Sequence, residues 1–319
     1  MMKALRVSDG RTTVAEVTRP ERDGESLVRV LQSGICNTDL EIARGYAAFT
    51  GTIGHEFVGV VEESGDASLV GKRIVGEINA GCGRCELCLA GDPRHCPNRT
   101  VLGIHGRDGA HAEFLKLPKE NLIEVPVSVS DTAAVFVEPL AAAFGISEQV
   151  DFMESTRTAV VGDGKLGILC ARSISLLTGG VTLVGKHREK LDIAEKYGNV
   201  TGLLTENVAQ TREKFDVVVE ASGSESGFAA ALNLVRPRGK VVLKSTFHGQ
   251  PTWDASKVVV DEITVIGSRC GRFAAALELL SQKRIEVEDL VTDEFPLADG
   301  VKAMSRAAEN GILKVLLRM

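Results

Sequence analysis

Apolar and polar residues alternate in short runs near both ends of the chain. Residues 26–31 (Ser-Leu-Val-Arg-Val-Leu) alternate and are rich in β-branched side chains, as a strand with one buried face is. Residues 109–117 alternate in the same way, and residues 312–317 predict a last strand. These runs predict a β-rich first domain to which the end of the chain returns.

Residues 158–271 show another pattern, in which apolar runs alternate with helical periods. Residues 158–161 (Thr-Ala-Val-Val) are mostly apolar, which is typical of a parallel strand that is buried on both faces. Alternation of strands and helices predicts a doubly wound parallel sheet. The further strands are predicted at 181–184, 215–220, 240–243 and 262–266, and the helices at 166–177, 188–197 and 225–235.

A glycine fingerprint follows the first of these strands. Gly162-Asp-Gly164-Lys-Leu-Gly167 lies between a strand and a helix, the context in which glycines let backbone N–H groups reach a pyrophosphate at a helix N-terminus. An αβ core without a nucleotide is the alternative. The candidate cofactor-binding residues are Gly162, Gly164, Lys165, Leu166 and Gly167.

Three residue types that bind zinc lie close together near the start of the chain. Cys36 follows the strand at 26–31, and His55-Glu56 comes soon after it. A thiol, an imidazole and a carboxylate are ligands that zinc prefers, and three protein ligands with one open position are typical of a catalytic zinc. The alternative is that Cys36 packs in the core and His55-Glu56 forms a surface turn.

Two polar residues follow Cys36 directly. The Thr38 hydroxyl is a candidate proton carrier beside the open metal position, or else a turn residue that bonds its own backbone. Asp39 is a candidate to orient a ligating imidazole, or to cap a helix from 40 to 44.

A helix is predicted to begin at Thr132, after Ser130 and Asp131, and to be interrupted by Pro139. Glu138 precedes this proline and has apolar residues on both sides. A carboxylate is costly to bury unless it is paired or bound to a cation, so a ligand role is favoured over a solvated helix end. Further helices are predicted at 273–280 and 298–309.

Four cysteines are spaced C-x2-C-x2-C-x7-C. Four thiolates surround one tetrahedral zinc ion and leave no position open, which predicts a structural site. An iron–sulfur cluster also takes four cysteines, but the spacing departs from the C-x3-C-P ending of bacterial ferredoxins. The predicted ligands, in a lobe near 80–98, are Cys82, Cys85, Cys88 and Cys96.

Composition narrows the class of protein. The chain has 319 residues, 44% of them hydrophobic, and a formal net charge of −6, so two domains are expected and nucleic acid is not an expected partner. No run approaches the ~18 apolar residues of a membrane span, and the first residues do not form a signal peptide. We therefore expect a cytoplasmic protein with reduced cysteines.

The turn after the strand at 181–184 bears on the choice of cofactor. NAD-binding domains place an acidic residue about 20 residues past the fingerprint, where it binds the ribose 2′-hydroxyl. Here that place holds Gly185, and Lys186, His187 and Arg188 follow. Cations at a helix start oppose the helix dipole, which favours an anionic ligand over a solvated basic helix start. The turn therefore predicts NADP(H) over NAD(H).

Taken together, these motifs resemble the zinc-dependent medium-chain dehydrogenase/reductase family, and the resemblance covers nearly the whole chain in order. It implies a GroES-like catalytic domain at 1–140 and 272–319, and a Rossmann domain at 141–271. It also implies two zinc ions per chain, a homodimer or homotetramer, and a small alcohol or carbonyl substrate. Glu138 stands where alcohol dehydrogenases proper carry a cysteine, which points to the polyol and sugar branch.

The implied reaction is hydride transfer between an alcohol and NADP. Catalytic roles are expected for Cys36, Thr38, His55 and Glu56, with Cys36, His55, Glu56 and Glu138 as ligands of the catalytic zinc. Arg269 is a candidate cofactor contact or a subunit-interface residue. Two alternatives remain: a quinone or enoyl reductase of the same fold, and a non-catalytic redox sensor that binds zinc and nucleotide.

Overall fold

The computed structural model describes residues 1–246 and 252–319. The strands are β1 (Met2–Ser8), β2 (Arg11–Val17), β3 (Ser26–Gly34), β4 (Gly51–Thr52), β5 (Glu56–Glu63), β6 (Arg73–Gly76), β7 (Asn79–Ala80), β8 (Thr100–Val101), β9 (Phe114–Leu117), β10 (Leu122–Glu124), β11 (Thr158–Val161), β12 (Val181–Gly185), β13 (Val200–Leu204), β14 (Phe215–Glu220), β15 (Val235–Leu243), β16 (Thr264–Gly267), β17 (Val291–Pro296) and β18 (Lys314–Arg318). The helices are α1 (Asn37–Ala43), α2 (Glu86–Leu89), α3 (Asp131–Val135), α4 (Val137–Phe144), α5 (Lys165–Ile174), α6 (Arg188–Glu195), α7 (Glu225–Leu234), α8 (Ala255–Val260), α9 (Phe273–Ser281) and α10 (Gly300–Ala307). None of the helices in these two ranges is long and apolar enough to cross a membrane.

The described residues form two compact units. Unit 1 comprises Met1–Glu138, Leu280–Gln282 and Leu290–Met319, and unit 2 comprises Pro139–Leu279 and Lys283–Asp289. The expected catalytic domain included all of 272–319, whereas most of α9 and residues 283–289 lie with unit 2. One reason is Arg172, on α5, which donates to both carboxylate oxygens of Asp289 at 2.8 and 2.7 Å.

Unit 1 is built on a sheet in the order β10-β6-β5-β3-β18-β17, with β9 also paired to β3. Gly34, at the end of β3, pairs with Glu56 on β5 and with Leu316 on β18. The central strand therefore brings the segment before Cys36, the start of β5 and the last strand together. The final strand predicted at 312–317 is observed as β18 and returns to unit 1 as expected.

The predicted strand at 109–117 is shorter in the structure, where β9 covers only Phe114–Leu117. Residues 109–111 instead bond separately to the segment around β4. The backbone N–H groups of Gly109, Ala110 and His111 donate to the carbonyls of Thr52, Gly54 and Ile53, respectively. This crossing places His111 beside Asp39, next to the candidate metal site.

Unit 2 contains a parallel sheet in the order β13-β12-β11-β14-β15-β16. This is the order 3-2-1-4-5-6 of a dinucleotide-binding sheet, so the predicted doubly wound sheet is confirmed. Helix α7 packs on β14, and buried side chains including Val218, Phe228 and Val241 form one core cluster. The apolar runs from which these strands were predicted supply buried side chains to this core.

The helix predicted from Thr132 is divided in a different place from the one expected. Ser130 caps α3, where its hydroxyl accepts from the Ala133 N–H at 3.0 Å. The break falls at Phe136, and Pro139 lies in the first turn of α4. A proline costs little there because the first N–H groups of a helix have no partner within it.

Candidate metal and cofactor sites

Three of the predicted zinc ligands come together in unit 1. One ligand atom from each of Cys36, His55 and Glu56 lies within 4.8 Å of the others. Cys36 follows β3 and is the cap of α1, while His55 immediately precedes β5, which begins at Glu56. His55 and Glu56 are buried, with 3% and 0% of their surface exposed. A half-buried thiol together with a buried imidazole and a buried carboxylate at this spacing suits a zinc ion.

Asp39 fixes the parts of this group relative to one another. It lies in the first turn of α1, so it is not the N-cap that the sequence allowed. Its Oδ2 accepts from the Cys36 N–H at 2.8 Å, and its Oδ1 accepts from the Gly54 N–H at 3.1 Å. Oδ1 also faces His55 Nδ1 at 3.5 Å, which leaves Nε2 of that ring as the metal-binding atom. This position suits the orienting role predicted for Asp39, which stays a prediction.

A second histidine, which the sequence analysis did not single out, lies on the other side of Asp39. His111 is fully buried, its Nε2 is 3.4 Å from Asp39 Oδ2, and its Nδ1 bonds to Ser33 Oγ at 2.8 Å. Burial alone raises the pKa of Asp39, but His55 and His111 outweigh it and hold that pKa well below its usual range. The carboxylate is therefore ionised between two imidazoles.

The field around His55 favours positive charge. Burial lowers the pKa of His55, but Asp39 and Cys36 raise it more, so that the pKa lies well above its usual range. A site that stabilises a proton in this way also stabilises a cation. The electrostatics therefore agree with the residue types in fitting a divalent metal.

Glu56 has a partner that the sequence analysis missed. Its Oε2 accepts from Lys314 Nζ on β18, and both side chains are fully buried. Lys314 Nζ also lies 5.4 Å from the centre of the Phe136 ring. Glu56 Oε1 is buried without a hydrogen-bond partner, an arrangement that is costly unless a cation binds there. The signal in the sequence was a single lysine within the apolar run at 312–317.

Thr38 and Glu138 were also predicted to take part in the catalytic site. Thr38 Oγ1 is 3.6 Å from Cys36 Sγ, so its hydroxyl lies beside the candidate metal position. Glu138 is half-buried in the first turn of α4. Among the residues of 1–246 and 252–319, the cluster of mutually close ligand atoms contains Cys36, His55 and Glu56 without Glu138. Its ligand role stays a prediction.

The four spaced cysteines also come together. Their sulfur atoms lie within 4.8 Å of one another, and all four thiols are free. N–H groups of Arg84 and Cys85 lower the pKa of Cys82 to about 6, whereas burial and the neighbouring Cys85 thiol raise the pKa of Cys88 to about 11. The tight packing of the thiols therefore opposes ionisation of Cys88 unless a cation is shared. The arrangement fits one tetrahedral zinc.

In unit 2 the fingerprint has the geometry of a phosphate-binding turn. Gly162 has φ +120°, and a Cβ at Gly167 would lie 1.8 Å from the Gly162 carbonyl oxygen, so both positions require glycine. Gly164 is the N-cap of α5 and provides no side-chain cap. Helix α5 begins at Lys165. Its first backbone N–H groups, which include those of Lys165 and Leu166, are therefore suited to bind an anion.

The turn after β12 is organised by Asp163 from the fingerprint. Asp163 Oδ2 accepts from the backbone N–H groups of Lys186 and His187, both at 2.7 Å, and lies 3.0 Å from His187 Nδ1. Lys186 is exposed. Arg188 pairs with Asp192 at 2.6 Å and with Glu195 on its own helix. The three basic residues thus differ in how far they are available to a ligand.

Arg269 follows β16 and has an exposed side chain. Its carbonyl accepts from Lys244 Nζ at 2.9 Å, so a buried amine at the end of β15 fixes the backbone at this position. This contact does not distinguish the cofactor role from the interface role.

Comparison with known proteins identifies both domains of the chain. Residues 22–127 match the alcohol dehydrogenase GroES-like domain, and residues 164–282 match the zinc-binding dehydrogenase domain. The erythritol/L-threitol dehydrogenase of Mycolicibacterium smegmatis is 30% identical, and the match covers 92% of this chain and 90% of that protein. The chain belongs to the zinc-dependent medium-chain dehydrogenase/reductase family. The predicted GroES-like and Rossmann folds are confirmed, and the chain is an alcohol oxidoreductase of this family.

Two solved structures are similar over the whole length of this family member. A zinc-binding dehydrogenase from Sinorhizobium meliloti 1021, bound to NADP, is 28% identical with a TM-score of 0.91, and the match covers 100% of this chain and 99% of that one. RspB from Escherichia coli CFT073, in complex with NADH, is 26% identical with a TM-score of 0.91 and the same coverage. Relatives of this fold therefore bind either nicotinamide cofactor.

Proposed function

We propose that this protein is a zinc-dependent dehydrogenase that oxidises a secondary alcohol of the polyol or sugar type with NADP, or reduces the corresponding carbonyl. The observation that carries the proposal is the close group of Cys36, His55 and Glu56, in which the buried Glu56 Oε1 lacks a hydrogen-bond partner. The similarity to a dehydrogenase named for two polyols supports the substrate class. We further propose that it works in the cytoplasm.

Two zinc ions per chain are proposed, one at each ligand group. Cys36 Sγ, His55 Nε2 and Glu56 Oε1 would hold the catalytic ion, with Glu138 as a further carboxylate ligand. Cys82, Cys85, Cys88 and Cys96 would hold the structural ion. When bound, the catalytic zinc lowers the pKa of an alcohol in its open position, and the nicotinamide exchanges the hydride.

The chain's own residues set the charge of the catalytic site. Asp39 holds His55 in the tautomer that leaves Nε2 for the metal. Lys314 neutralises the charge that Glu56 adds, so the ligand set does not cancel the positive charge that acidifies an alcohol. The Thr38 hydroxyl, 3.6 Å from Cys36 Sγ, is placed to take the proton that the alcohol loses.

NADP is the proposed cofactor because position 185 is a glycine instead of an acidic residue, and basic residues follow it. Lys186 and His187 are the proposed phosphate contacts. Arg188 is already paired with two carboxylates of its own helix, so it is the weakest of the three candidates. The NADP-bound relative from Sinorhizobium supports this assignment, and the NADH-bound relative shows why it needs a test.

A panel of alcohols, polyols and sugars, assayed with NADP+ and with NAD+ on the zinc-loaded protein, tests the function. Oxidation of secondary alcohols with a higher kcat/KM for NADP+ is expected, and zinc removal should abolish it. Reduction of quinones or enoyl substrates without zinc would identify the reductase of this fold instead. Cofactor binding without turnover of any substrate would identify a sensor.

Thr38→Val is expected to lower kcat by about 10²- to 10⁴-fold, because it keeps the shape of the side chain but removes the hydroxyl that carries the proton. Thr38→Ser is the matched control and should retain most activity. Zinc content and the unfolding transition should be unchanged in both. A valine variant with full activity would show that the proton leaves by another route.

We also propose a homodimer or homotetramer. Strand β16 is an edge of the parallel sheet in unit 2, and Thr264 and Val265 on it are exposed. An exposed apolar edge strand is a template for pairing with another chain. The molar mass of the protein in solution tests this assignment.

A further inference from the structure

A carboxylate does lie beside the cofactor turn, although it comes from an unexpected place in the sequence. A Cβ added at Gly185 would lie 2.5 Å from Asp163 Cβ and 2.6 Å from Asp163 Oδ2. The side chain of Asp163, from the fingerprint, therefore occupies the space into which an acidic residue at position 185 would project. Asp163 thus places a carboxylate where the acidic residue of an NAD-binding domain would lie.

Only one oxygen of Asp163 is used by the turn. Oδ2 accepts from two backbone N–H groups and contacts His187 Nδ1, whereas the described residues make no hydrogen bond to Oδ1. Side-chain exposure is 12% for Asp163 and 42% for His187, so a ligand can reach the pair. Oδ1 is therefore available to a ribose hydroxyl.

The contact between Asp163 and His187 fixes the roles of the ring nitrogens. Because Asp163 Oδ2 already accepts two N–H groups, it carries no proton and His187 Nδ1 must be the donor. In the neutral ring Nε2 then has only a lone pair, which does not donate to a phosphate. In the charged ring Nε2 is a second donor. His187 therefore binds a phosphate well only when it is protonated.

We propose that Asp163 and His187 form a pair that selects between NADP and NAD according to pH. The proposal rests on the nicotinamide-dependent function given above. With a protonated ring the pair is neutral and His187 binds the 2′-phosphate. With a neutral ring the pair carries one negative charge, which repels the phosphate and lets Asp163 Oδ1 accept from a ribose 2′-hydroxyl.

Other charged side chains lie on the elements that pack around Asp163 and His187. On α6 the charges of Arg188, Asp192 and Glu195 are joined in one network. Strand β13, which packs on α6, has no charged side chain. The remaining charged groups on neighbouring elements are Lys186 after β12, Glu189 and Lys190 on α6, Lys165 and Arg172 on α5, and Glu206 in the turn after β13.

Calorimetric titration of the zinc-loaded protein with NADP+ and NAD+ from about pH 6 to 8.5 tests the pair. We expect the affinity ratio of NADP+ to NAD+ to fall by about tenfold or more as the pH rises, since one charged hydrogen bond is lost. The 2′-phosphate itself loses a proton near pH 6, which works in the opposite direction. His187→Gln retains only that effect and provides the baseline.

Asp163→Asn and Glu189→Gln form a matched pair, since each removes one negative charge near His187. Asp163→Asn should raise the ratio at pH 8.5 by about tenfold and flatten its pH dependence, because the amide oxygen still accepts the backbone N–H groups. Glu189→Gln should leave both unchanged. Variants at Gly185 are unsuitable, because any side chain there displaces Asp163.

The two proposals fail in different ways. A ratio that favours NAD+ at every pH would overturn the proposed NADP preference, while its change with pH would still support the pair. A wild-type ratio that does not change with pH, or that changes equally in Asp163→Asn, would overturn the pair. Equal effects of Asp163→Asn and Glu189→Gln would show that any nearby negative charge acts in the same way, and would likewise overturn the proposed pair.

Discussion

Lys314→Met is expected to lower the free energy of unfolding by about 3–5 kcal/mol, which is the usual result of removing one partner of a buried ion pair. Methionine has a similar volume, so the loss is expected in the zinc-free protein, where the Glu56 carboxylate remains buried and neither a lysine nor a metal ion compensates its charge. Both side chains are fully buried, so water does not replace the lost partner. Equilibrium unfolding in urea, followed by the transition midpoint, measures the effect.

The double variant Glu56→Gln/Lys314→Met is the control for this prediction. It removes both charges, so it should recover most of the stability lost in the single variant, although it removes a proposed zinc ligand. If Lys314→Met alone is as stable as the wild type, Glu56 does not bear a buried charge in the folded protein. The role given to Lys314 would then be wrong.

Cys36→Ser and Cys85→Ser are expected to separate the two metal sites. The wild type should contain two zinc ions per chain, and each variant should contain one. A catalytic zinc contributes several kcal/mol of charge stabilisation, so Cys36→Ser should lower turnover by about 10³-fold or more with little change in melting temperature. Cys85→Ser should instead lower the melting temperature, because a structural zinc contributes directly to folding.

Elemental analysis, turnover and thermal unfolding of the same preparations check this pair. The substitution is identical in both variants, so the difference between them reports the site and not the chemistry of serine. A Cys85 variant that is stable but inactive, together with an unstable but active Cys36 variant, would reverse the assignment. One zinc or none in a fully active wild type would remove the proposed mechanism.

Local patterns predicted those elements whose burial follows from neighbouring residues. Strands β11 and β14 have the predicted bounds, and α6 begins at the predicted Arg188. The ligand groups were also predictable, because the types and spacing of Cys, His and Glu side chains already limit what they can bind. Such features depend on few residues that are close in the sequence.

Features that depend on distant residues were missed. Glu56 and Lys314 are 258 positions apart, and no local pattern shows that a lysine on β18 meets a glutamate on β5. The turn after β12 was interpreted from its own basic residues, whereas Asp163, from the fingerprint, sets its geometry. His111 was assigned to an alternating strand, and its position behind Asp39 arises from the crossing of residues 109–111 toward β4.

The placement of Lys314 also constrains the order of events during synthesis. Unit 1 contains residues that precede unit 2 in the sequence and residues that follow it. Its last strand, β18, pairs directly with β3. While the ribosome is still making unit 2, Glu56 has no lysine partner and β3 has an open edge. Unit 2, by contrast, has all the strands of its parallel sheet once Gly267 has emerged. The parallel sheet of unit 2 therefore has all its strands before the sheet of unit 1 does, and Glu56 gains its lysine partner only after β18 has been made.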